Sequence, residues 1–185
     1  MAYPAEKPWT VEEFLAWEDK QPDRWEFVDG EPRMMVGGSF DHNCAALGLA
    51  SYLRQRLMPR GCRVFMEAVK LRAADCLTYP DVVVTCAPVK GKDDVLFDAV
   101  LVAEVLSPST ANYDRGDKWE AYRHLPSLRH YLLIAQDRAC VDLYSRDGER
   151  WVLARYDRLD QELPLTALDV AVPLAEVYAG TDVTA

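Results

Sequence analysis

No two cysteines of this chain form a C-x-x-C pair, and none of its three histidines stands at zinc-finger spacing from them. The common structural zinc sites are thereby excluded. The five cysteines are odd in number; they read as buried or free thiols of a reducing cytoplasm. Long apolar runs are missing too: none approaches the ~20 residues that cross a bilayer. The stretch MAYPAEKPWTVEE has neither the basic nor the apolar region of a signal peptide, so a cytoplasmic protein without a membrane partner is expected. Nor is there an excess of positive charge. Lys and Arg total 21 against 30 Asp and Glu, a net charge of −9, which argues against a protein that coats nucleic acid non-specifically.

What is present suits one packed domain over residues 1–185, since half of the residues are hydrophobic and 10% aromatic. There are no repeats and no low-complexity segments. Charge is unevenly spread: from Ser51 to Arg72, Arg54, Arg56, Arg60, Arg63, Lys70 and Arg72 stand against Glu67 alone. Such a patch suits an anionic ligand and suits a solvated helix face equally well.

The order of elements predicts an α/β (α+β) domain with a mixed central sheet flanked by helices. WTVEEFLAWEDK opens with Thr10 and Glu13, a capping box ahead of a helix. WEFVDGEPRMMV reads as a hairpin about Asp29-Gly30. A long helix is predicted from about Ser39 to Met58, stopped by Pro59 and Gly61. Strands follow at CRVFM, EAVKLR, LTYPDVVVTC and DAVLVAEVL, then a helix through YDRGDKWEAYRHL, on which Trp119 and Tyr122 should pack against the sheet. Three further strands, RHYLLIA, ACVDLYS and RWVLARY, precede a short closing helix in PLAEVYAG.

The chemistry starts from DAVLVAEVLSPST, where Glu104 stands inside an otherwise apolar strand. An ionised carboxylate buried without a partner costs several kcal/mol, so Glu104 must bind something. Alternation puts it on one face with Val102 and Leu106. Asp81 follows Pro80 at the opening of another β-branched run, and proline biases such a position toward a kink. If the two strands are neighbours their carboxylates converge. Convergent carboxylates call for a cation, and hard oxygen ligands suit Mg²⁺ or Mn²⁺. A structural ion pair of Glu104 with Lys118 or Lys70 is the competing reading.

YPD on one strand and AEV on the next resemble the PD-(D/E)XK nuclease superfamily. The wider string WEFVDGE…DH…YPDVVV…VAEVLSPST…YDRGDKWEAY resembles the Uma-type restriction endonucleases within it, over Thr10 to Tyr178. The resemblance implies a restriction-endonuclease-like fold and an endonuclease that hydrolyses phosphodiester bonds, with DNA as substrate, Mg²⁺ or Mn²⁺ as cofactor and a homodimer as assembly. Asp81, Glu104 and the carbonyl of Val105 would be metal ligands. The superfamily lysine would fall at 106, where this chain has Leu106; Lys118 matches the Uma-type lysine, and Lys70 is its rival. Glu26 and His42 match positions lining the same pocket. His42, in the first turn of a helix, is expected to have a depressed pKa and to be neutral. Two other functions stay open: a non-catalytic module binding nucleic acid or a partner on the same fold, and a metal-dependent hydrolase of a small anionic substrate.

Overall fold

The computed structural model describes residues 9–35 and 37–184. Residues 1–8, the first part of the stretch read for a signal peptide, and Val36 at the end of the predicted hairpin lie outside them. Helix α1 (Val11–Glu18) begins at the predicted capping box: the Thr10 side chain accepts from the Glu13 backbone and the Glu13 carboxylate accepts from the Thr10 backbone. Strands β1 (Trp25–Val28) and β2 (Glu31–Met34) form the predicted hairpin, with Asp29 and Gly30 both at positive φ as its tight turn requires. Ser39 caps the long helix α2 (Phe40–Leu57), accepting from the His42 backbone at 3.1 Å.

After α2 come β3 (Arg63–Met66), β4 (Lys70–Ala73), β5 (Cys76–Thr78), β6 (Val82–Thr85), β7 (Val95–Leu96) and β8 (Leu101–Leu106). The predicted helix on YDRGDKWEAYRHL forms in three pieces. A single turn, α3 (Ala111–Tyr113), leads through a π-helical turn at Asp114–Lys118 into α4 (Trp119–Arg123). Strands β9 (His130–Ala135), β10 (Val141–Asp147) and β11 (Arg150–Tyr156) follow, then the ribbon β12 (Glu162–Leu165) and β13 (Val170–Pro173), and α5 (Leu174–Val177).

Among the described residues, two main sheets and the two-stranded β12–β13 ribbon result instead of one sheet. The larger has the order β11-β10-β9-β8-β6-β3 and the smaller β2-β1-β5-β4-β7. The larger is mixed, since β8 and β9 run parallel while its other neighbours are antiparallel. The run LTYPDVVVTC does not make a single strand: β5 belongs to the smaller sheet and β6 to the larger, and the chain breaks between them at Tyr79–Pro80–Asp81. Proline lacks the N–H that a continuous ladder needs, which is why the sheets part there.

Alternation along β8 decides which core each residue enters. Leu101, Ala103 and Val105 pack with Leu49, Leu53 and Leu57 of α2. Val102 and Leu106 face the other way, against Tyr122, Leu125 and Tyr131. Each fully buried leucine of α2 contributes ~2 kcal/mol of transfer free energy. Trp119 and Tyr122 pack as the sequence suggests: Trp119 stacks on Tyr131, ring centres 5.6 Å apart, and Tyr122 is fully buried.

Five free thiols were expected, and here the structure differs. Cys62 and Cys86 are joined in a disulfide, while Cys44, Cys76 and Cys140 are free. The cause is register. β3 and β6 pair antiparallel with Arg63 opposite Thr85, so the next residues outward, Cys62 and Cys86, face each other. With that bond present, cysteine usage no longer argues for a reducing compartment.

One buried group outside the site makes stability depend on pH. His130 is 1% exposed; its Nε2 accepts from the Ala167 backbone and its Nδ1 lies 3.1 Å from the Ser145 hydroxyl. Both bonds are met by a neutral ring. Burial alone lowers its pKa from 6.5 to about 4. The unfolded chain therefore binds the extra proton first, so this stability is complete above pH ~6.5 and is lost as pH falls toward 4. At about 1.4 kcal/mol per pKa unit, the loss is roughly 3 kcal/mol. Urea unfolding at pH 7 and at pH 4.5 should show it, and His130→Gln should flatten that interval. An unchanged pH profile in the variant would refute the assignment.

Candidate active site

The kink at Pro80 and the pairing of β6 with β8, Val82 opposite Ala103, bring Asp81 beside Glu104. Strand neighbourhood was the condition for their convergence, and it is met. The two carboxylates have different partners, however. The site falls into two adjoining halves with the Asp81 residue between them.

The open half is half-buried. His42 Nε2 lies 3.3 Å from Asp81 Oδ2, and that same oxygen accepts from the Val105 backbone N–H at 2.6 Å. The Glu67 carboxylate completes a group in which one ligand atom from each of His42, Glu67 and Asp81 lies within 4.8 Å of the others. Glu67 is held in the left-handed region, φ 44°, a conformation that costs a non-glycine residue ~1 kcal/mol or more and concentrates at functional sites. It is kept there by its N–H bond to the Pro80 carbonyl, 3.1 Å, and by Arg24, whose guanidinium donates to the Glu67 carbonyl at 3.2 Å. Arg24 is exposed, so it brings a cation to the rim of this acidic group.

The closed half is buried. Glu26, Glu104, Asp114 and Lys118 are each between 2% and 5% exposed. The Lys118 ammonium contacts Glu26 Oε1 at 3.0 Å, Glu104 Oε1 at 3.2 Å and Asp114 Oδ1 at 3.4 Å. Of these contacts the one to Glu104 is a hydrogen bond, and Glu26 and Asp114 lie at ion-pair distance. Glu104 Oε1 also accepts from the Tyr122 hydroxyl at 2.9 Å, and its Oε2 from the Asp81 backbone N–H at 3.4 Å. Glu26 in turn accepts from the Tyr79 N–H at 2.9 Å, which ties the β1–β2 hairpin to the kink.

Three carboxylates share one ammonium, and the electrostatics follow. Burial pushes the Glu104 carboxyl well above its ordinary range; Lys118 opposes this, and Asp81, Asp114 and Glu26 add to it. Burial likewise raises Asp114 against the pull of Lys118. Burial works against charge on Lys118, but Glu104 and Glu26 outweigh it and hold the ammonium protonated far above its usual range. The expectation for His42 is reversed. Burial does act to lower its pKa, yet the bond to Asp81 and the charges of Asp81 and Glu67 prevail, so the imidazole lies above 6.5 and takes a proton readily. An adjacent carboxylate at contact distance outweighs a helix dipole in the first turn.

All five side chains singled out in the sequence thus meet in this cleft, as does the Val105 backbone. Asp81, His42 and Val105 lie in the open half, and Glu104, Glu26 and Lys118 in the closed half. Lys70 is elsewhere: its ammonium lies 2.9 Å from Glu18 and ties α1 to β4. Of the two lysines, only Lys118 contacts Glu104. Three participants were missed. Glu67 had one signal, as the lone acid in the basic stretch Ser51–Arg72. Asp114 lay inside a quoted string, and Tyr122 was read only as packing.

Two sheets that part at a proline, with an Asp at the break beside a buried Glu–Lys pair, define a chain of restriction-endonuclease-like fold. The same fold occurs in the crystal structure of a "putative nuclease" from Anabaena variabilis. The match has a TM-score of 0.76 at 19% identity and covers 93% of this chain and 98% of that one. The model of the Uma2 family, described as "Putative restriction endonuclease", matches residues 11–175, and the chain belongs to that family. Among relatives from Synechocystis, the uncharacterized protein slr1290 is 34% identical over 174 residues, covering 91% of this chain and 90% of its own length. The uncharacterized protein sll1609 is 33% identical over 150 residues, covering 78% and 85%.

Proposed function

We propose that the chain is a divalent-metal-dependent endonuclease that hydrolyses phosphodiester bonds, with DNA as its substrate. The observation carrying this reading is the His42–Glu67–Asp81 group, directly beside a buried Glu104–Lys118 pair. Its donor set fits a divalent cation. Two carboxylates supply hard oxygen and one imidazole supplies nitrogen, which favours Mn²⁺ over Mg²⁺. His42, Glu67 and Asp81 would hold the ion, in place of the set Asp81, Glu104 and Val105 expected from the resemblance. When bound, such an ion polarises a phosphate and lowers the pKa of a coordinated water.

The chain's own groups then have distinct tasks. Glu104 accepts the Asp81 N–H and so fixes the backbone that carries the central carboxylate. Lys118 is buried among Glu26, Glu104 and Asp114, so it acts as a positioning residue that holds Glu104 and Glu26 in place. Arg24, anchored on the Glu67 carbonyl, faces the rim where a phosphate would arrive. Glu26 fixes the Tyr79 backbone two residues before Asp81.

The saturation of Glu104 favours a second reading: the same fold as a non-catalytic binding module. Supercoiled plasmid and single-stranded DNA incubated with Mn²⁺, Mg²⁺ or EDTA separate the two. The nuclease reading expects cleavage that Mn²⁺ supports at least as well as Mg²⁺ and that EDTA abolishes. Absence of cleavage under every condition would discard it and leave the binding module.

A further inference from the structure

The register of a short antiparallel ladder fixes what meets just beyond each of its ends. β3 and β6 pair from Arg63 opposite Thr85 to Met66 opposite Val82. One step beyond the first pair stand Cys62 and Cys86, joined in the disulfide. One step beyond the last stand Glu67 and Asp81, two of the three residues of the His42–Glu67–Asp81 group. One ladder thus carries a covalent clamp at one end and the carboxylate pair at the other, roughly 16 Å away along the strand.

The ladder has limited support of its own. Among the described residues β3 is the edge of its sheet, with β6 as its only strand neighbour. Arg63 is exposed and Val64, Phe65 and Met66 are half-buried, whereas all four residues of β6 are buried. Edge elements with little buried apolar surface open locally at low cost. At the far end Glu67 is held at positive φ, a conformation that persists only while its surroundings impose it. The disulfide closes opening from the Cys62 end. It links positions 24 apart in sequence, and the loop it closes contains both Glu67 and Asp81. A cross-link of that kind restricts how far the groups inside it can separate.

We infer that Cys62–Cys86 is a thiol-exchange site whose oxidation state sets the affinity of the His42–Glu67–Asp81 group for a divalent cation. The inference rests on the metal-binding part of the function proposed above. Cys86 is exposed, so a small thiol can reach the bond there. Cys62 is buried, and its N–H donates to the Leu57 carbonyl at 3.2 Å, which keeps it at the end of α2 after the bond opens. The reductant thiolate attacks the Cys86 sulfur, and Cys62 leaves as a thiolate and takes a proton. A second reductant thiol then releases Cys86 as a thiol. Two electrons pass in all: the protein disulfide becomes two thiols, and two reductant thiols become one disulfide. With the clamp open, β3 can part from β6 and carry Glu67 away from Asp81. A site assembled for only a fraction of the time binds its ion more weakly by that fraction. The coupling is reciprocal, because an ion held by Glu67 and Asp81 closes the same ladder from its other end.

Two measurements on the full chain test this. In the first, Mn²⁺ is titrated by calorimetry into the oxidised protein and into the Cys62→Ser/Cys86→Ser double variant. The dissociation constant should be about tenfold higher in the variant. The second needs no substitution: wild type is equilibrated in glutathione buffers with and without Mn²⁺, and both cysteines are alkylated and quantified by peptide mass. Saturating Mn²⁺ should shift the equilibrium about tenfold toward the disulfide, a potential lower by about 30 mV. Asp81→Asn should form the disulfide and lose that shift. Equal Mn²⁺ affinity in the oxidised chain and the double variant, or a glutathione equilibrium indifferent to Mn²⁺, would overturn the coupling and leave the metal site standing. Absence of Mn²⁺ binding by the oxidised chain would overturn the metal reading, and this inference with it.

Discussion

Asp81→Asn is expected to remove cleavage activity by roughly 10²–10³-fold, the loss typical of deleting one charged or hydrogen-bonding group from an active site. The reasoning is local. Asparagine has the same shape, and its carbonyl oxygen can still accept the Val105 N–H, now 2.6 Å from Asp81 Oδ2. The kink should survive, and the unfolding free energy should move by less than about 1 kcal/mol. What disappears is the negative charge between His42 and Glu67. A neutral amide is a poor ligand beside one remaining carboxylate, so Mn²⁺ affinity measured by calorimetry should fall by at least ~10-fold. The imidazole should also lose the partner that raises its pKa. Full activity in Asp81→Asn, with stability intact, would rule out Asp81 as the central ligand.

Lys118→Met should have the largest effect on stability. The ammonium is the cation in contact with Glu26, Glu104 and Asp114, all nearly inaccessible to water. Removing one partner of a buried ion pair costs about 3–5 kcal/mol, because the abandoned charge stays buried. For a domain of this size that lowers the melting temperature by roughly 10 °C. The deficit should depend on pH in a defined direction. Without Lys118 the folded-state pKa values of Glu104 and Asp114, already raised by burial, rise further above their unfolded values. Stability is then retained below the unfolded carboxylate range and lost as pH rises through the folded values. Urea unfolding should therefore show a smaller penalty at pH 5 than at pH 8. Adding Glu104→Gln removes one stranded charge and should recover part of the loss, a coupling readable in a double-mutant cycle. Independent, additive effects of the two substitutions would contradict the geometry.

Much of this site was legible along the chain because its signals are local. A glutamate inside LVAEVL must be buried whichever way the strand pairs, since both of its neighbours are apolar. Period-two alternation then placed it opposite Val105, and β8 obeys that rule. Pro80 announced a kink because the missing N–H acts at its own position. The capping box at Thr10 and the Asp29–Gly30 turn need no distant partner, and both formed as read. The string shared with the Uma-type family named that family for the same reason: it is a property of the chain's order.

The identity of each partner was not local, and here the sequence left alternatives that only the fold could resolve. Asp81 and Glu104 were read as a shared ligand pair, but in the tertiary structure Glu104 turns toward Lys118 and Tyr122, and Asp81 toward His42 and Glu67. Glu67 joins because a turn at positive φ, pinned by Pro80 and Arg24, carries it across; no spacing rule encodes that. His42 gains a raised pKa from a carboxylate distant in sequence, where its own helix alone implied a lowered one. Cys62 finds Cys86 through the register of β3 on β6, and the β-branched run divides between two sheets. The sequence by itself determined which residues must be buried, capped or turned. Which charge meets which was decided by strand register and sheet order, because electrostatic partners are set by distance in space and not along the chain.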